Sequence, residues 1–412
     1  MYIKLPENVK SIIEVLYSNG YEAYAVGGCV RDSVLGKKPK DWDITTSAFP
    51  QEVKSLFKKT IDTGIKHGTV TVMIKGEGYE VTTYRIDGVY KDGRHPENVT
   101  FSSKLTEDLQ RRDFTINAMA YNDKVGLVDQ FEGMKDLQEG IIRCVGNPSE
   151  RFGEDALRMM RAIRFCAQLG FHMDDNTYKA IVQLAPNIIK VSVERIQVEL
   201  VKTLLSENPD YVQKFQEAGL FIDILPKIDK ILSGKYKKST LTMLKLSEPT
   251  AIFRYAALFY SIDYEDIQEI LKSLKLDNYT IDTVSKLVSY SKNTIEENEP
   301  AVREALHKYG KDMLNLMLKY EKTVIATKEA VTGILLPARK KHLAVIENMV
   351  SCIIERGDCF TLKDLDITGN DLIEYGLKGK EVGRVLGLLL DIVIENQKLN
   401  DKQTLIALIE HL

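Results

Sequence analysis

The hydrophobic pattern of this chain changes about a third of the way along its length. Up to about Leu137, short apolar runs alternate with turn residues, and residues 23–26, 70–74 and 79–85 predict β-strands. Beyond that point, apolar residues recur at helical spacing to the end of the 412-residue chain. The sequence therefore predicts an α/β head followed by a long helical remainder.

Two further segments of the head have patterns that predict a helix and a loop. Apolar residues between Val9 and Tyr17 repeat at helical spacing and are followed by Gly20, so a helix is expected ahead of the first strand. Residues 86–101 are mostly polar and contain two Asp-Gly pairs, which predicts a loop.

Composition excludes several classes of protein. The formal net charge is -3, so RNA binding would need positive charge concentrated on one face. The longest apolar run, residues 385–390, falls far short of the about 20 residues that a membrane-spanning helix needs, and no secretory signal pattern is visible. The five cysteines lack zinc-site spacing, which favours reduced thiols and a cytoplasmic location.

The densest chemical pattern begins with a glycine pair. Gly27 and Gly28 follow a predicted strand and precede a predicted helix over residues 30–35. Glycine lets the backbone approach a phosphate closely, and a helix N-terminus offers free N–H donors to an anion. Arg31 could add a bidentate grip on phosphate oxygens. Taken alone, the pair is better explained as a tight strand-to-helix turn.

Two acidic residues a short way along the chain strengthen this pattern. Asp41 and Asp43 are two apart, so a strand would point both side chains to the same side. Such carboxylates repel unless a cation lies between them, and Mg²⁺ prefers one or two carboxylates together with substrate phosphates. An isolated Asp-x-Asp pair would be better explained as two solvated acids in an exposed turn. About a dozen residues after a glycine turn of the phosphate-binding type, the pair predicts a metal site. Glu80 is the candidate third carboxylate, although a polar strand face is usually solvated.

Four segments, in this order, resemble the motifs of a known family. They are residues 27–32, 41–44, 111–118 and 154–158. The family is that of the class II tRNA nucleotidyltransferases, which comprises bacterial and eukaryotic CCA-adding enzymes and bacterial poly(A) polymerases. Residues 192–202 resemble its last helical motif. The resemblance is strong over residues 22–205, weak over the body, and returns faintly at residues 367–372.

The resemblance implies a fold and an activity. The fold is an α/β head of the polymerase β-like nucleotidyltransferase type (residues 1–140), then an all-α neck (141–205), body (206–330) and tRNA-binding tail (331–412) in a seahorse shape. The activity is ordered addition of C, C and A to the tRNA 3′ end from CTP and ATP without a nucleic-acid template. Two Mg²⁺ ions would be held by Asp41 and Asp43, with Glu80 assisting. The oligomeric state, monomer or homodimer, is left open.

The resemblance also assigns nucleotide contacts. Gly28 and Arg31 would hold the triphosphate, and Arg112 would meet the incoming nucleotide. Asp113 and Asn117 could hydrogen-bond the ribose. The alternative is an arginine pair, Arg111 and Arg112, on a solvated helix face.

A predicted helix over residues 155–165 contains the residues expected to select the base of the incoming nucleotide. Asp155 and Arg158 are three apart and would be neighbours on one helical face. The carboxylate would accept from the exocyclic amino group of C or A, and the guanidinium would donate to a ring nitrogen or carbonyl. U and G present the wrong pattern. Arg161 follows one turn on, whereas Arg164 lies off that face and is assigned by the resemblance alone. Ordinary ion pairing is the alternative for this helix by itself.

Other activities stay open at this stage. Residues 87–96 resemble the family's flexible loop, which argues against an enzyme that adds only C-C but does not separate CCA addition from A-only addition. A bacterial poly(A) polymerase is a further alternative, although residues 401–412 lack a basic extension. A non-catalytic RNA-binding protein is disfavoured by the intact Asp41, Asp43, Arg112 and Arg158, and a small-molecule nucleotidyltransferase by the long helical half.

Overall fold

The computed structural model describes residues 2–88, 99–290 and 294–410. The chain divides into two compact units, Met1–Gly234 and Lys235–Leu412. All strands in the described ranges belong to the first unit. The finer division into head, neck, body and tail stays a prediction.

A seven-stranded sheet forms the centre of the first unit. The described strands are β1 (Ala23–Val26), β2 (Asp43–Thr46), β3 (Thr60–Gly64), β4 (Thr69–Ile74), β5 (Glu77–Thr83), β6 (Arg85–Asp87), β7 (Val99–Phe101), β8 (Met119–Asn122), β9 (Gly126–Asp129), β10 (Ile141–Ile142) and β11 (His172–Met173). The order in the large sheet is β3-β4-β5-β2-β1-β8-β9. Strand β2 pairs in parallel with β5, and the other neighbours are antiparallel. Strand β2 is therefore held on both sides.

The predicted strands are confirmed, but the predicted loop is wrong at both ends. Residues 85–87 and 99–101 pair as β6 and β7, and Phe101 packs edge-on against Phe49 with ring centroids 5.6 Å apart. The apolar residues among the polar ones there support a short antiparallel strand pair rather than a coil. The predicted flexible loop, residues 87–96, lies almost wholly outside the described residues.

Helices pack against the sheet and continue the first unit beyond it. They are α1 (Glu7–Ser18), α2 (Gly28–Val34), α3 (Pro50–Leu56), α4 (Leu105–Gln110), α5 (Gly133–Glu139), α6 (Pro148–Glu154), α7 (Leu157–Leu169), α8 (Asp175–Leu184), α9 (Val193–Leu204), α10 (Val212–Glu217) and α11 (Pro226–Ser233). The predicted first helix is confirmed as α1, whose apolar stripe is buried at Val9, Ile12, Ile13 and Leu16. Gly170, in the left-handed conformation, ends α7, and Pro226 begins α11.

The second unit consists of helices and connecting segments in the described ranges. Its helices are α12 (Lys237–Leu246), α13 (Ala251–Leu258), α14 (Tyr264–Ser273), α15 (Asn278–Tyr290), α16 (Glu299–Tyr309), α17 (Lys311–Thr332), α18 (Pro337–Arg356), α19 (Gly369–Glu374), α20 (Lys380–Glu395) and α21 (Lys402–Ile409). Buried Arg303 donates to the Ile394 carbonyl at 2.7 Å and pairs with Asp358 at 3.0 Å, which ties α16 to the end of α20. No helix among the described residues is long and apolar enough to cross a membrane.

Candidate functional site

The glycine turn lies between the centre of the sheet and a short helix. Gly27 has φ 82° and ψ -130°, and its N–H donates to the Met119 carbonyl of β8 at 3.1 Å. A Cβ atom at Gly27 would lie 3.0 Å from Nη1 of Arg112. Glycine is thus required both for the backbone conformation and for the close approach of this guanidinium. Gly28 begins α2, which confirms the predicted helix after the turn.

The acidic residues gather at the start of β2. Asp43 is its first residue, opposite Val26 of β1, and Ile44 pairs with Val81 of β5, so Glu80 of β5 lies alongside Asp43. Asp41 lies ahead of the strand rather than within it, so the predicted alternation along one strand does not apply to it. Asp41, Asp43 and Glu80 are all exposed.

The charges of these residues nevertheless interact. Desolvation by the surrounding protein raises the pKa of Asp43, and the negative charges of Glu80 and Asp41 raise it further, while the positive charge of Arg112 lowers it. The described residues contain no group of three or more His, Cys, Asp or Glu placed to hold a metal ion by themselves. The donor chemistry therefore fits a cation that a carboxylate pair binds together with oxygens from another molecule.

A buried carboxylate anchors the two arginines that follow α4. Asp108 is fully buried and accepts from Nε and Nη2 of Arg111 at 3.0 and 2.6 Å, and from Nη2 of Arg112 at 3.2 Å. It also accepts from the Thr45 hydroxyl of β2 at 3.1 Å. Burial alone would raise the pKa of Asp108, but the charges of Arg112 and Arg111 hold it below its ordinary value. Sequence analysis missed Asp108, although its spacing of three and four from the arginines was a readable signal.

Of the guanidinium nitrogens of Arg112, only Nη2 has a carboxylate partner among the described residues. The Arg pair lies in the turn after α4, so the alternative of a solvated helix face is wrong. Nη2 of Arg112 contacts Asp108, whereas its buried Nε finds no partner among the described residues. The guanidinium therefore has hydrogen-bonding capacity beyond its contact with Asp108, and its Nη1 is the atom that approaches Gly27.

Asp113 and Asn117 form a bridge between two other predicted arginines. Oδ2 of buried Asp113 accepts from Nε of Arg161 at 2.8 Å, and its Oδ1 accepts from Nδ2 of Asn117 at 3.0 Å. Oδ1 of Asn117 accepts from Nη1 of Arg31 at 2.6 Å. Burial would raise the pKa of Asp113, but the charge of Arg161 and the hydrogen bonds lower it well below its usual range. In this structure both residues therefore position arginines.

The structure corrects the predicted neighbourhood of Asp155. Helix α6 ends at Glu154 and α7 begins at Leu157, so Asp155 lies between two helices and not on a helical face with Arg158. Its Oδ1 accepts from the Leu157 N–H at 3.1 Å. Its Oδ2 pairs with Nη2 of Arg195 of α9 at 2.7 Å, and Oδ1 also accepts from Nη1 of Arg195 at 3.3 Å.

Arg158 has a different set of partners. Its Nη1 pairs with Oε2 of Glu154 at 2.5 Å and donates to the Arg151 carbonyl at 3.1 Å. Its Nη2 donates to the Arg111 carbonyl at 3.1 Å. These three acceptors fix the plane of the guanidinium. Asp155 and Arg158 are thus oriented separately, one from α9 and the other from α6 and the turn after α4.

Arg161 and Arg164 share one carboxylate and one aromatic ring. Glu199 of α9 accepts from Nε of Arg164 at 2.5 Å, and its other oxygen lies 4.0 Å from Nη1 of Arg161. Both guanidinium groups lie over Phe165, 3.9 Å from the ring centroid for Arg164 and 5.5 Å for Arg161. The Arg161 side chain is 33% exposed, whereas that of Arg164 is only 8% exposed, so Arg161 has the greater access to a ligand.

Comparison with known proteins identifies the family. The CCA-adding enzyme of Ligilactobacillus salivarius is 37% identical over 414 residues, covering 98% of this chain and 96% of that protein. The CCA-adding enzyme of Enterococcus faecalis is 36% identical over 409 residues, covering 96% and 93%. This chain belongs to the CCA-adding enzymes. The resemblance inferred from four motifs is confirmed, and with it the enzyme class, a tRNA nucleotidyltransferase.

Family models and a solved structure agree with this membership. The Poly A polymerase head domain matches residues 23–143, the probable RNA and SrmB-binding site of polymerase A matches 170–245, and the putative tRNA nucleotidyltransferase domain 2 matches 246–409. The crystal structure of the Bacillus stearothermophilus CCA-adding enzyme in complex with CTP is 33% identical and aligns with a TM-score of 0.78, covering 99% of this chain and 98% of that one.

The fold prediction is confirmed as well: a mixed-sheet head precedes mostly helical domains, as in CCA-adding enzymes. Membership of the CCA-adding family also implies a need for a divalent metal ion.

Proposed function

We propose that this enzyme adds C, C and A in order to the 3′ end of tRNA from CTP and ATP, without a nucleic-acid template. The observation that carries the proposal is the position of Arg112, whose guanidinium approaches Gly27 and whose charge acts on Asp43. This position supports a single site that combines the glycine turn, the guanidinium of Arg112 and the carboxylates of Asp41 and Asp43. Such a site suits the transfer of a nucleotidyl group, in which negative charge must be held and neutralised.

Asp41 and Asp43 are the proposed ligands of Mg²⁺, and Glu80 is the proposed assisting carboxylate. The raised pKa of Asp43 is caused mainly by desolvation and also by the negative charges of Glu80 and Asp41, and this repulsion supports a cation at this point. When bound, the metal would lower the pKa of the tRNA 3′-hydroxyl and neutralise charge on the triphosphate. The phosphates would be oriented by N–H groups of the protein. These are the backbone N–H of Gly28 and the guanidinium groups of Arg31 and Arg112.

Asp155 and Arg158 are the proposed readers of the base. In this proposal the carboxylate of Asp155 accepts from the exocyclic amino group that C and A share, and Arg158 donates to a ring nitrogen or carbonyl. The rigid seating of each side chain, by Arg195 and by Glu154, supports it. A fixed donor and a fixed acceptor discriminate strongly, because a wrong base leaves a buried polar group unpaired. Arg161 and Arg164 complete the proposed nucleotide site.

A single assay tests the reaction. The protein is incubated with tRNA ending at the discriminator base, at -C and at -CC, with one labelled nucleotide at a time. Growth of all three ends, stopping after A, is the expected result. Extension of the -CC end alone would instead identify an A-adding enzyme, and long tails a poly(A) polymerase.

The cellular location is also a proposal. All five cysteines are free, and four of them are buried. Free thiols suit a reducing compartment, so the cytoplasm is the proposed location.

A further inference from the structure

One aromatic ring lies at the meeting point of three guanidinium groups. The centroid of the Phe165 ring is 3.9 Å from Cζ of Arg164, 5.0 Å from Cζ of Arg31 and 5.5 Å from Cζ of Arg161. All three distances are within the roughly 6 Å over which a cation is attracted to the face of an aromatic ring.

The three arginines come from different parts of the first unit. Arg31 lies on α2, directly after the glycine turn, whereas Arg161 and Arg164 lie on α7 together with Phe165. The Phe165 ring therefore links the proposed triphosphate-binding turn to the helix that carries Arg158, one of the two proposed base-reading residues.

Carboxylates compensate the charge of each arginine in this cluster. Arg31 pairs with Asp32 at 2.7 Å, and Arg161 pairs with Asp113 at 2.7 Å. Arg164 pairs with Glu199. What all three guanidinium groups share is the Phe165 ring, whose negative electrostatic potential on its faces attracts cations.

The ring itself is immobilised. Phe165 is 5% exposed, and Phe114 packs edge-on against it, with ring centroids 5.6 Å apart and an interplanar angle of 78°. So little exposure prevents Phe165 from serving as a stacking surface for a nucleotide. Any effect of this residue on substrate must therefore pass through the arginines around it.

We propose that Phe165 is a positioning residue of the nucleotide site, whose ring holds Arg31, Arg161 and Arg164 in one fixed array. Without the ring, the like charges would repel one another, and Arg31 and Arg161 could move toward Asp32 and Asp113. The ring keeps them together before substrate arrives, so that binding a nucleotide requires less reorganisation. This inference rests on the proposed role of these arginines in binding CTP and ATP.

The sharpest test changes the electrostatics of the ring and keeps its shape. Phe165 is replaced by phenylalanine analogues carrying one, two and five fluorine atoms, because fluorine progressively removes negative potential from the ring face. We expect KM for CTP and for ATP to rise with each step, to about tenfold for the five-fluorine ring, with a smaller change in kcat. A series with unchanged KM would overturn the proposal.

Phe215 supplies the matched control. It is fully buried in the same unit and packs against Phe221 with centroids 5.4 Å apart, and no cation among the described residues lies over its ring. The same fluorinated series at position 215 should leave both KM values unchanged. Phe165→Leu and Phe215→Leu extend the comparison: both should lower the unfolding temperature, but only Phe165→Leu should raise KM. Equal KM values for the two leucine variants would contradict the positioning role.

Arg161→Ala separates this inference from the proposed function. If Arg161→Ala raises KM while the fluorinated series at position 165 leaves it unchanged, the arginine contacts nucleotide and only the role of Phe165 fails. If Arg161→Ala leaves KM unchanged, the assignment of this arginine cluster to the nucleotide site fails, and the positioning role fails with it.

Discussion

Arg195 of α9 holds the carboxylate of Asp155 through two hydrogen bonds, of 2.7 and 3.3 Å, from a position 40 residues further along the chain. The proposed base-reading acceptor is therefore positioned by the last helical motif as well as by the backbone N–H of its near neighbour Leu157. This relationship suggests that selectivity for the base depends on α9.

Replacing Arg195 should weaken base selection more than it weakens catalysis. Without the guanidinium, Asp155 can rotate, so its acceptor oxygens no longer match the amino group of C or A. For Arg195→Ala we expect discrimination against UTP, measured as the ratio of kcat/KM values in single-nucleotide incorporation, to fall about tenfold. Lys202→Ala, an exposed cation on the same helix, should leave that ratio unchanged. Equal ratios for both variants would refute the role of Arg195.

Asp43→Asn should remove activity and yet stabilise the metal-free protein. The raised pKa of Asp43 means that its ionised form is disfavoured in the folded state, so at neutral pH the charge lowers the free energy of unfolding. Removing the charge should raise the unfolding temperature without Mg²⁺. It should also abolish the further rise that Mg²⁺ gives the unsubstituted protein. Thermal unfolding with and without Mg²⁺ measures both effects, and a lower metal-free unfolding temperature would contradict the unfavourable desolvation and repulsion of the Asp43 carboxylate.

Asp108→Asn should destabilise the head in a pH-dependent way. The pKa of Asp108 is lowered by Arg112 and Arg111, so its ionised form contributes stability above the ordinary pKa of about 4, which is lost as pH falls through the lowered value. Breaking one partner of a buried ion pair costs about 3–5 kcal/mol. Denaturant unfolding should show this difference at pH 7, and a smaller one at pH 3. A difference that is constant with pH would argue against the ionic role.

Gly27→Ala should impair nucleotide binding beyond its effect on the backbone. The new methyl group would meet the Arg112 guanidinium at 3.0 Å and displace it, in addition to the strain of alanine at φ 82°. We expect KM for CTP and ATP to rise about tenfold or more. Gly36→Ala is the control, because Gly36 also has positive φ, 70°, but open space around its Cβ position. A similar KM in the two variants would show that backbone strain alone is responsible.

Local patterns in the sequence predicted the elements of the head well. The strand over residues 23–26, the glycine turn and the helix after it are set by neighbouring residues, and the structure places them as expected. The Asp155–Arg158 pairing failed for a physical reason: Asp155 accepts a hydrogen bond from the backbone of Leu157, and the chain changes direction there between two helices. Residues that meet only in three dimensions, such as Glu199 and Arg164, leave no signal at any fixed spacing.

The position of Asp41 and Asp43 at the start of a central strand determines how the repulsion between their carboxylates can be relieved. Like charges at the end of a peripheral strand would relax by fraying that strand. Strand β2 is flanked by β1 and β5 and fastened by Thr45 to Asp108, so this escape is blocked. The positive charge of Arg112 offsets part of the repulsion, and a bound counter-ion would relieve the remainder without any movement of the strand.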